Sequence, residues 1–469
     1  MPRVQPAGSL FFSRSGLGAN ILPLDASDLR ILVIMRETRI KTVSVRTTGC
    51  RLNQYESEVM AAELFRFGFR RAEPGEPADL YIINTCTITH RADQSSRNMI
   101  RRAVRENAEA KIVVAGCYVD NDPDAISQIE GVDVLLTNTD KDRLAEILPR
   151  RLPELFDRLP ETGCGSAVPD FGLHNRAWMK VSDGCNQNCS YCILPSVRGR
   201  LRHRDADEIL CEIDALTRAG FQEIVLTGLN MGYYRQLDRQ PEVRSFAELC
   251  RLVFEKTDVS RIRLSSLEPQ TLNGDFLRLC RESDGRLCRH FHVSLQSGSS
   301  RVLRLMRRPY DRDTYIRLVS DIKNARPNTI IGADIIVGFP GETETDFDES
   351  RTLAEFGLID YLHVFSYSDR RGTPAADIPN KIKPDVIKER NAILTRISDD
   401  LRLQANRRQV GQVLDVIAEY RKIDDRFHWG VADNYIRVKL PDGHEGGKEI
   451  VRVKITRALE DYVEGEVVS

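Results

Sequence analysis

From residue 41 onward, short apolar runs alternate with longer stretches whose apolar residues recur at helical spacing. Residues 42–45, 80–83, 111–115 and 132–136 read as strands. Between them, 55–67 carries apolar positions on one helical face and 96–106 is a polar, arginine-bearing helix. Strands alternating with helices predict a doubly wound, mainly parallel sheet. A second series has strands near 177–182, 223–226, 261–264, 291–295, 333–337 and 362–365, and a long helix over 384–408 ends it. Six such units predict a curled parallel sheet, an incomplete (β/α)6 barrel. Short strands at 413–417, 429–431, 435–438 and 450–455, split by turns, predict a small antiparallel β-barrel of OB-like size. The expected divisions are a tail over 1–38, a first domain over 39–150, a connector over 151–172, a central domain over 173–402 and a last domain over 403–469. Pro153, Pro160, Gly163, Gly165 and Pro169 mark the connector.

Composition adds constraints without naming a chemistry. A chain of 469 residues needs more than one core. Its 68 lysines and arginines offset 69 acidic residues, so any basic surface is local. No apolar run has membrane-spanning length. Eleven cysteines form no regular framework, which points to reduced thiols in a cytoplasm rather than a secreted disulfide scaffold. Phe11-Phe12-Ser13-Arg14-Ser15-Gly16 has some transit-peptide flavour, but Asp25 and Asp28 oppose it, and Met35 precedes the first strand. An upstream start or a disordered tail is the favoured reading.

The stretch CNQNCSYC puts Cys185, Cys189 and Cys192 directly after the first strand of the second series. A structural zinc site needs a fourth ligand, and His203 or Cys211 would have to supply it from unusual spacing. An iron–sulfur cubane held by three thiolates keeps one iron open, and the loop sits at the strand end where barrel enzymes place their chemistry. The spacing CxxxCxxC resembles the radical S-adenosylmethionine enzymes. That resemblance implies a [4Fe-4S] cluster whose open iron is chelated by the methionyl end of S-adenosylmethionine. One electron then cleaves the sulfonium to methionine and a 5′-deoxyadenosyl radical. It also implies a cofactor floor at the strand ends: Tyr191 beside the cluster, Gly228, Ser266, Glu268 toward ribose hydroxyls, Gln296 and Gly338.

Three further cysteines each follow one strand of the first series: Cys50, Cys86 and Cys117. In a doubly wound sheet those loops share one edge, so the thiols meet in space and predict a second three-thiolate cluster. This pairing resembles the methylthiotransferases, which add an auxiliary cluster and a C-terminal TRAM domain to the radical core. The likeness spans about 40–469 through GCRLNQYESE (49–58), NTCTITHRAD (84–93), CNQNCSYCILPSVRGR (185–200), LQSGS (295–299), DIIVGFPGETETDF (334–347), HVFSYSDRRGTPAA (363–376) and DNYIRV (433–438). It implies two uses of S-adenosylmethionine, as methyl donor and as radical source. It also implies a sulfur donor and an external electron donor such as a flavodoxin or ferredoxin.

Three substrate classes occur in that family: threonylcarbamoyladenosine and isopentenyladenosine in tRNA, and an aspartate of a ribosomal protein. GCRLNQYESE is similar to the first branch, which acts beside the anticodon at position 37. The isopentenyl branch is the first alternative and the ribosomal aspartate the second. For RNA contact the candidates are Arg198, Arg200, Arg202 and Arg204 past the cluster loop, and Arg421, Trp429 and Arg437 in the last domain. A zinc-stabilised RNA-binding protein without catalysis is the rival from another class. Cys164, Cys211, Cys250, Cys280 and Cys288 receive no role.

Overall fold

The computed structural model describes residues 39–156, 169, 171–172, 174–235, 243–424, 426–441 and 447–468. The tail over 1–38, most of the connector and Cys164 lie outside the described residues. The first domain is a five-stranded parallel sheet in the order β2-β1-β3-β4-β5. Its strands are β1 (Thr42–Thr47), β2 (Arg70–Arg71), β3 (Leu80–Thr85), β4 (Lys111–Gly116) and β5 (Val134–Leu136). All of β3 is buried, as a central strand covered on both faces requires. Helix α1 (Arg51–Arg66) follows β1, and α2 (His90–Glu106) follows β3. α2 starts six residues before the expected Ser96, because the Thr89 side chain accepts from the Ala92 N–H and caps it. It buries Asp93, Ser96, Ile100 and Ala103, one face at helical spacing.

The second series forms the expected open arc. β6 (Ala177–Lys180), β9 (Glu223–Thr227) and β10 (Arg261–Leu264) pair in parallel, as do β11 (His290–His292), β12 (Ile330–Val337) and β13 (Tyr361–Ser366). A parallel bridge between Leu267 and Val293 joins the two halves. The expected strand over 177–182 ends early, and Ser182–Asp183 (β7) instead pairs antiparallel with Arg202–His203 (β8). That hairpin closes the base of the cysteine loop. Helix α3 (Pro384–Arg407) packs its Leu394, Ser398 and Leu401 side against β13 and leads into the last domain.

There, β14 (Val413–Asp424), β15 (Phe427–Ala432), β16 (Arg437–Pro441), β17 (Ile450–Ala458) and β18 (Val463–Val467) close a barrel in the order β14-β15-β16-β18-β17. Its core takes every second residue, such as Leu414, Val416 and Ala418, or Val453 and Ile455. Arg261 and Arg263, from the arc, donate into its backbone at Asp415, Ala432 and Asp433. No helix among the described residues is long and apolar enough to cross a membrane.

Candidate active site

The loop after β7 is pinned before it is functional. The Cys185 N–H donates to the Gly199 carbonyl at 3.1 Å, the Ser190 N–H to Met306 at 3.0 Å, and the Ala375 N–H to Ser190 at 2.7 Å. Each thiol of the loop then meets different chemistry. Cys185 Sγ accepts from the Gln187 N–H at 3.4 Å and from Asn230 Nδ2 at 3.5 Å. Cys189 Sγ accepts from Arg308 Nη1 at 3.1 Å, and Arg308 also pairs with Glu268. Burial pushes the Cys192 thiol up to about 12; it pushes Cys189 up as well, against the opposing Arg308 guanidinium. Metal bound here displaces those protons, since the ligand is the thiolate.

All three thiols line one cavity of about 290 Å³ together with Tyr191, Glu268 and Gln296. Gln296 holds a left-handed backbone (φ +68°), turned there by the strand bridge to Ile335. Neither His203 nor Cys211 reaches that wall. Asn230 Oδ1 and Gln187 Nε2, beside the thiols, are buried without a hydrogen-bond partner. Three soft ligands, nearby amide donors and unspent polar groups fit a cubane with a polar small molecule on its open iron.

Three expected floor residues stand elsewhere. A side chain on Gly228 would sit 2.4 Å from Ser182 Oγ, so packing alone already requires glycine there, and its neighbour Leu229 lines the cavity. Gly338 (φ +76°) faces Ile387 of α3, which a Cβ would meet at 2.4 Å. Ser266 Oγ lies 3.0 Å from His292 Nδ1 and lines a neighbouring cavity. Conversely, Arg308, Asn230 and Asp334 were missed, because nothing in the order of residues shows which side chains turn toward the thiols.

The second trio converges at the edge of the first sheet. Cys50 stands at the N-cap position of α1, its side chain making no capping bond; Cys86 follows β3, and Cys117 opens a short helix, Cys117–Asn121. Burial pushes the Cys86 thiol up to about 12, and the fields of Cys50 and Cys117 add to it. Gly49 makes this convergence possible: its φ is +103°, and a Cβ would lie 2.7 Å from Cys86 Cβ. On the expectation that this trio holds a second cluster, Gly49→Ala should cost it that metal. After oxygen-free reconstitution, iron per chain should drop to about half that of the wild type, counting four irons per cluster; undiminished iron would refute the crowding argument.

The basic run after the loop divides. Arg198 is buried: its Nε reaches Cys117 Sγ at 3.1 Å, and its Nη groups bind Glu56 and Asn53. Arg204 donates to Glu212 at 2.8 Å and to the Tyr55 hydroxyl at 2.9 Å. The expectation of RNA contact at Arg198 is corrected, because the buried Glu56 of α1 draws its guanidinium inward; Arg204 is half-buried and turned toward Glu212, eight residues on in the following helix. Arg200 and Arg202 face out, Arg202 near Asp183 at 3.5 Å. Burial alone would push the Glu56 carboxyl up, but Lys141, Arg198 and Lys180 hold it well below the usual carboxylate range. Cys117 also packs with Ile193 and Val197, the former next to Cys192 in the chain. Ile88 and Thr89, just past Cys86, line the cavity of the first trio. In the last barrel, Arg437 lies 3.7 Å over the Trp429 ring, whose edge meets Tyr462; the side chain of Arg421 lies outside the described residues.

A parallel arc with a three-cysteine loop after its first strand is the architecture of the radical S-adenosylmethionine enzymes, and residues 179–354 match the Radical SAM superfamily. Residues 42–137 match a domain described as Uncharacterized protein family UPF0004. The threonylcarbamoyladenosine tRNA methylthiotransferase MtaB of Bacillus subtilis is 35% identical, over 91% of this chain and 96% of that protein. The tRNA-2-methylthio-N(6)-dimethylallyladenosine synthase of Clostridium tetani is 34% identical, over 91% and 96%. The chain belongs to the radical S-adenosylmethionine methylthiotransferase family. Its fold also resembles the radical S-adenosylmethionine methyltransferase TsrM from Kitasatospora setae, at TM-score 0.51 and 15% identity, covering 72% of this chain and 77% of that one.

Proposed function

We propose that this enzyme adds a methylthio group to carbon 2 of N6-threonylcarbamoyladenosine beside the anticodon of tRNA. Two [4Fe-4S] clusters would serve it, one on Cys185, Cys189 and Cys192, the other on Cys50, Cys86 and Cys117. The observation that carries this reading is the junction of the two trios: Cys117 packs on Ile193, and residues just past Cys86 wall the cavity of Cys185, Cys189 and Cys192. A substrate carbon in that cavity lies between both sites. When bound, the clusters and S-adenosylmethionine supply the electron, the radical and the activated sulfur. The protein's part is to hold and enclose. Arg308 and Asn230 donate to the ligand sulfurs, Glu268 and Gln296 offer acceptors, and Leu229, Ile336 and Phe365 keep water from the reacting carbon.

RNA is read as arriving over Arg200 and Arg202, with the Trp429–Arg437 face of the last barrel, taken as a TRAM domain, holding the stem-loop. A flavodoxin or ferredoxin would deliver electrons, a separate donor the sulfur, and the site of action would be the cytoplasm. The Clostridium tetani relative, nearly as similar, favours a second reading on dimethylallyladenosine. Mass spectrometry of tRNA nucleosides from cells with and without the gene separates them. Loss of 2-methylthio-threonylcarbamoyladenosine alone is expected; loss of the dimethylallyl derivative instead would transfer the assignment.

A further inference from the structure

Inside the arc, adjoining the cysteine-lined cavity through a shared wall residue, Asp334, lies a second chamber of about 230 Å³. All three domains build it. Arg51 enters from α1, Arg176 and Arg263 come from the arc, and Tyr435 enters from the last barrel. Tyr435 holds a left-handed backbone (φ +70°), a rare conformation for a bulky residue, and its ring stacks on His290 at 4.5 Å. Its hydroxyl accepts from Arg51 Nη2 at 2.9 Å, and Arg263 lies 5.0 Å from the centre of its ring.

Four guanidiniums around the chamber, those of Arg51, Arg176, Arg261 and Arg263, face three carboxylates, one of them the wall residue Asp334, which lies 3.3 Å from His292 Nε2. Glu223 is shared among Arg261, Arg263 and Arg176, and Glu419 takes the other end of Arg176 at 3.3 Å. Arg51 has no carboxylate partner among the described residues and rests on a phenol. Arg176 Nη1 and His290 Nδ1 are buried without a hydrogen-bond acceptor or donor, His290 being 5% exposed. Arg51 is half-buried, and a partly desolvated guanidinium without a counter-ion favours an anion beside it. Burial works to raise the Tyr435 phenol, yet Arg51, Arg176 and Arg263 bring it below its ordinary range, which reports the same field. At ~30 Å³ per water, the volume holds roughly seven water-sized groups, enough for an amino-acid-sized substituent.

We propose that this chamber receives the carboxylate of the substituent on the substrate's adenine, with Arg51 as the residue that reads it. This rests on the threonylcarbamoyladenosine reading and adds to it the residues that reject an uncharged substituent. Charge-assisted contacts of this kind discriminate by about 10–100-fold.

The test uses the full, reconstituted enzyme and two anticodon stem-loop RNAs, one with the threonylcarbamoyl carboxylate and one with that group as its carboxamide. Wild type should bind the carboxylate RNA about 10–100-fold more tightly; Arg51→Met should shrink the ratio to about threefold or less, and Arg51→Lys should recover part of it. Equal binding of both RNAs by wild type overturns the proposal, as does a preference that survives Arg51→Met. If Arg51→Met does not fold, the wild-type ratio and that of Arg51→Lys decide: an undiminished preference in Arg51→Lys also overturns it. Methylthiolation by wild type is followed in parallel. Product only on isopentenyl RNA would sink the substrate reading and the chamber with it. Product on threonylcarbamoyl RNA with no carboxylate preference would sink the chamber alone.

Discussion

Cys189→Ala, prepared without oxygen, is expected to hold about half the iron of the wild type and to form no 5′-deoxyadenosine, while Cys86→Ala also holds about half yet still cleaves S-adenosylmethionine. The two variants separate because the trios sit on different domains: Cys189 on the loop after β7, Cys86 past β3. Cys189 is held through Arg308, which is itself fixed by Glu268 and the Tyr310 hydroxyl. Removing the sulfur leaves two protein donors for a cubane, too few to retain it. Arg308→Met keeps all three ligands and removes only a donor to one, so its loss in activity should be confined to about 10–100-fold. Product formation by neither cysteine variant, with cleavage kept only by Cys86→Ala, is the pattern that assigns the two roles. Cleavage of S-adenosylmethionine by Cys189→Ala would refute the assignment.

The gathering of the six cysteines into two trios at strand ends was legible because that signal is positional: a thiol just past a strand points to a sheet edge, and apolar runs locate the strands. The six-stranded arc and the closed terminal barrel were legible for the same reason, each strand being a short apolar or alternating run. Side-chain direction was not. Arg198 looked like part of a basic surface, yet Glu56, carried by α1 of the first domain, holds it inside. Gly338 sits in a string that suggests a ligand floor, but what limits it is Ile387, on a helix 49 positions later. Tyr435 gave no sign in its local pattern that it crosses into another domain. Contacts between distant segments decide such cases, and no periodicity records them.

The same inward pull makes Glu223 the residue whose loss should most weaken the architecture. Its carboxylate, fully buried, accepts from Arg263 Nε at 2.6 Å and from Arg261 Nε at 2.7 Å. Those guanidiniums in turn donate to the carbonyls of Asp415, Ala432 and Asp433 in the terminal barrel. Glu223→Ala leaves them buried without a counter-ion, a loss of about 3–5 kcal/mol. Urea unfolding followed by the fluorescence of Trp178 and Trp429 should show it, and limited proteolysis should release the terminal barrel sooner. The pH dependence has a definite sign. Burial would raise the Glu223 carboxyl, but Arg263, Arg261 and Arg176 hold it well below its usual range. Its contribution is therefore complete above the unfolded value of about 4.3 and is lost as pH falls below it, by up to about 1.4 kcal/mol per unit. Glu223→Gln lacks this titration, so its deficit against wild type should narrow in acid. A deficit constant from pH 6 to pH 3 would mean that shape, rather than charge, joins the arc to the terminal barrel.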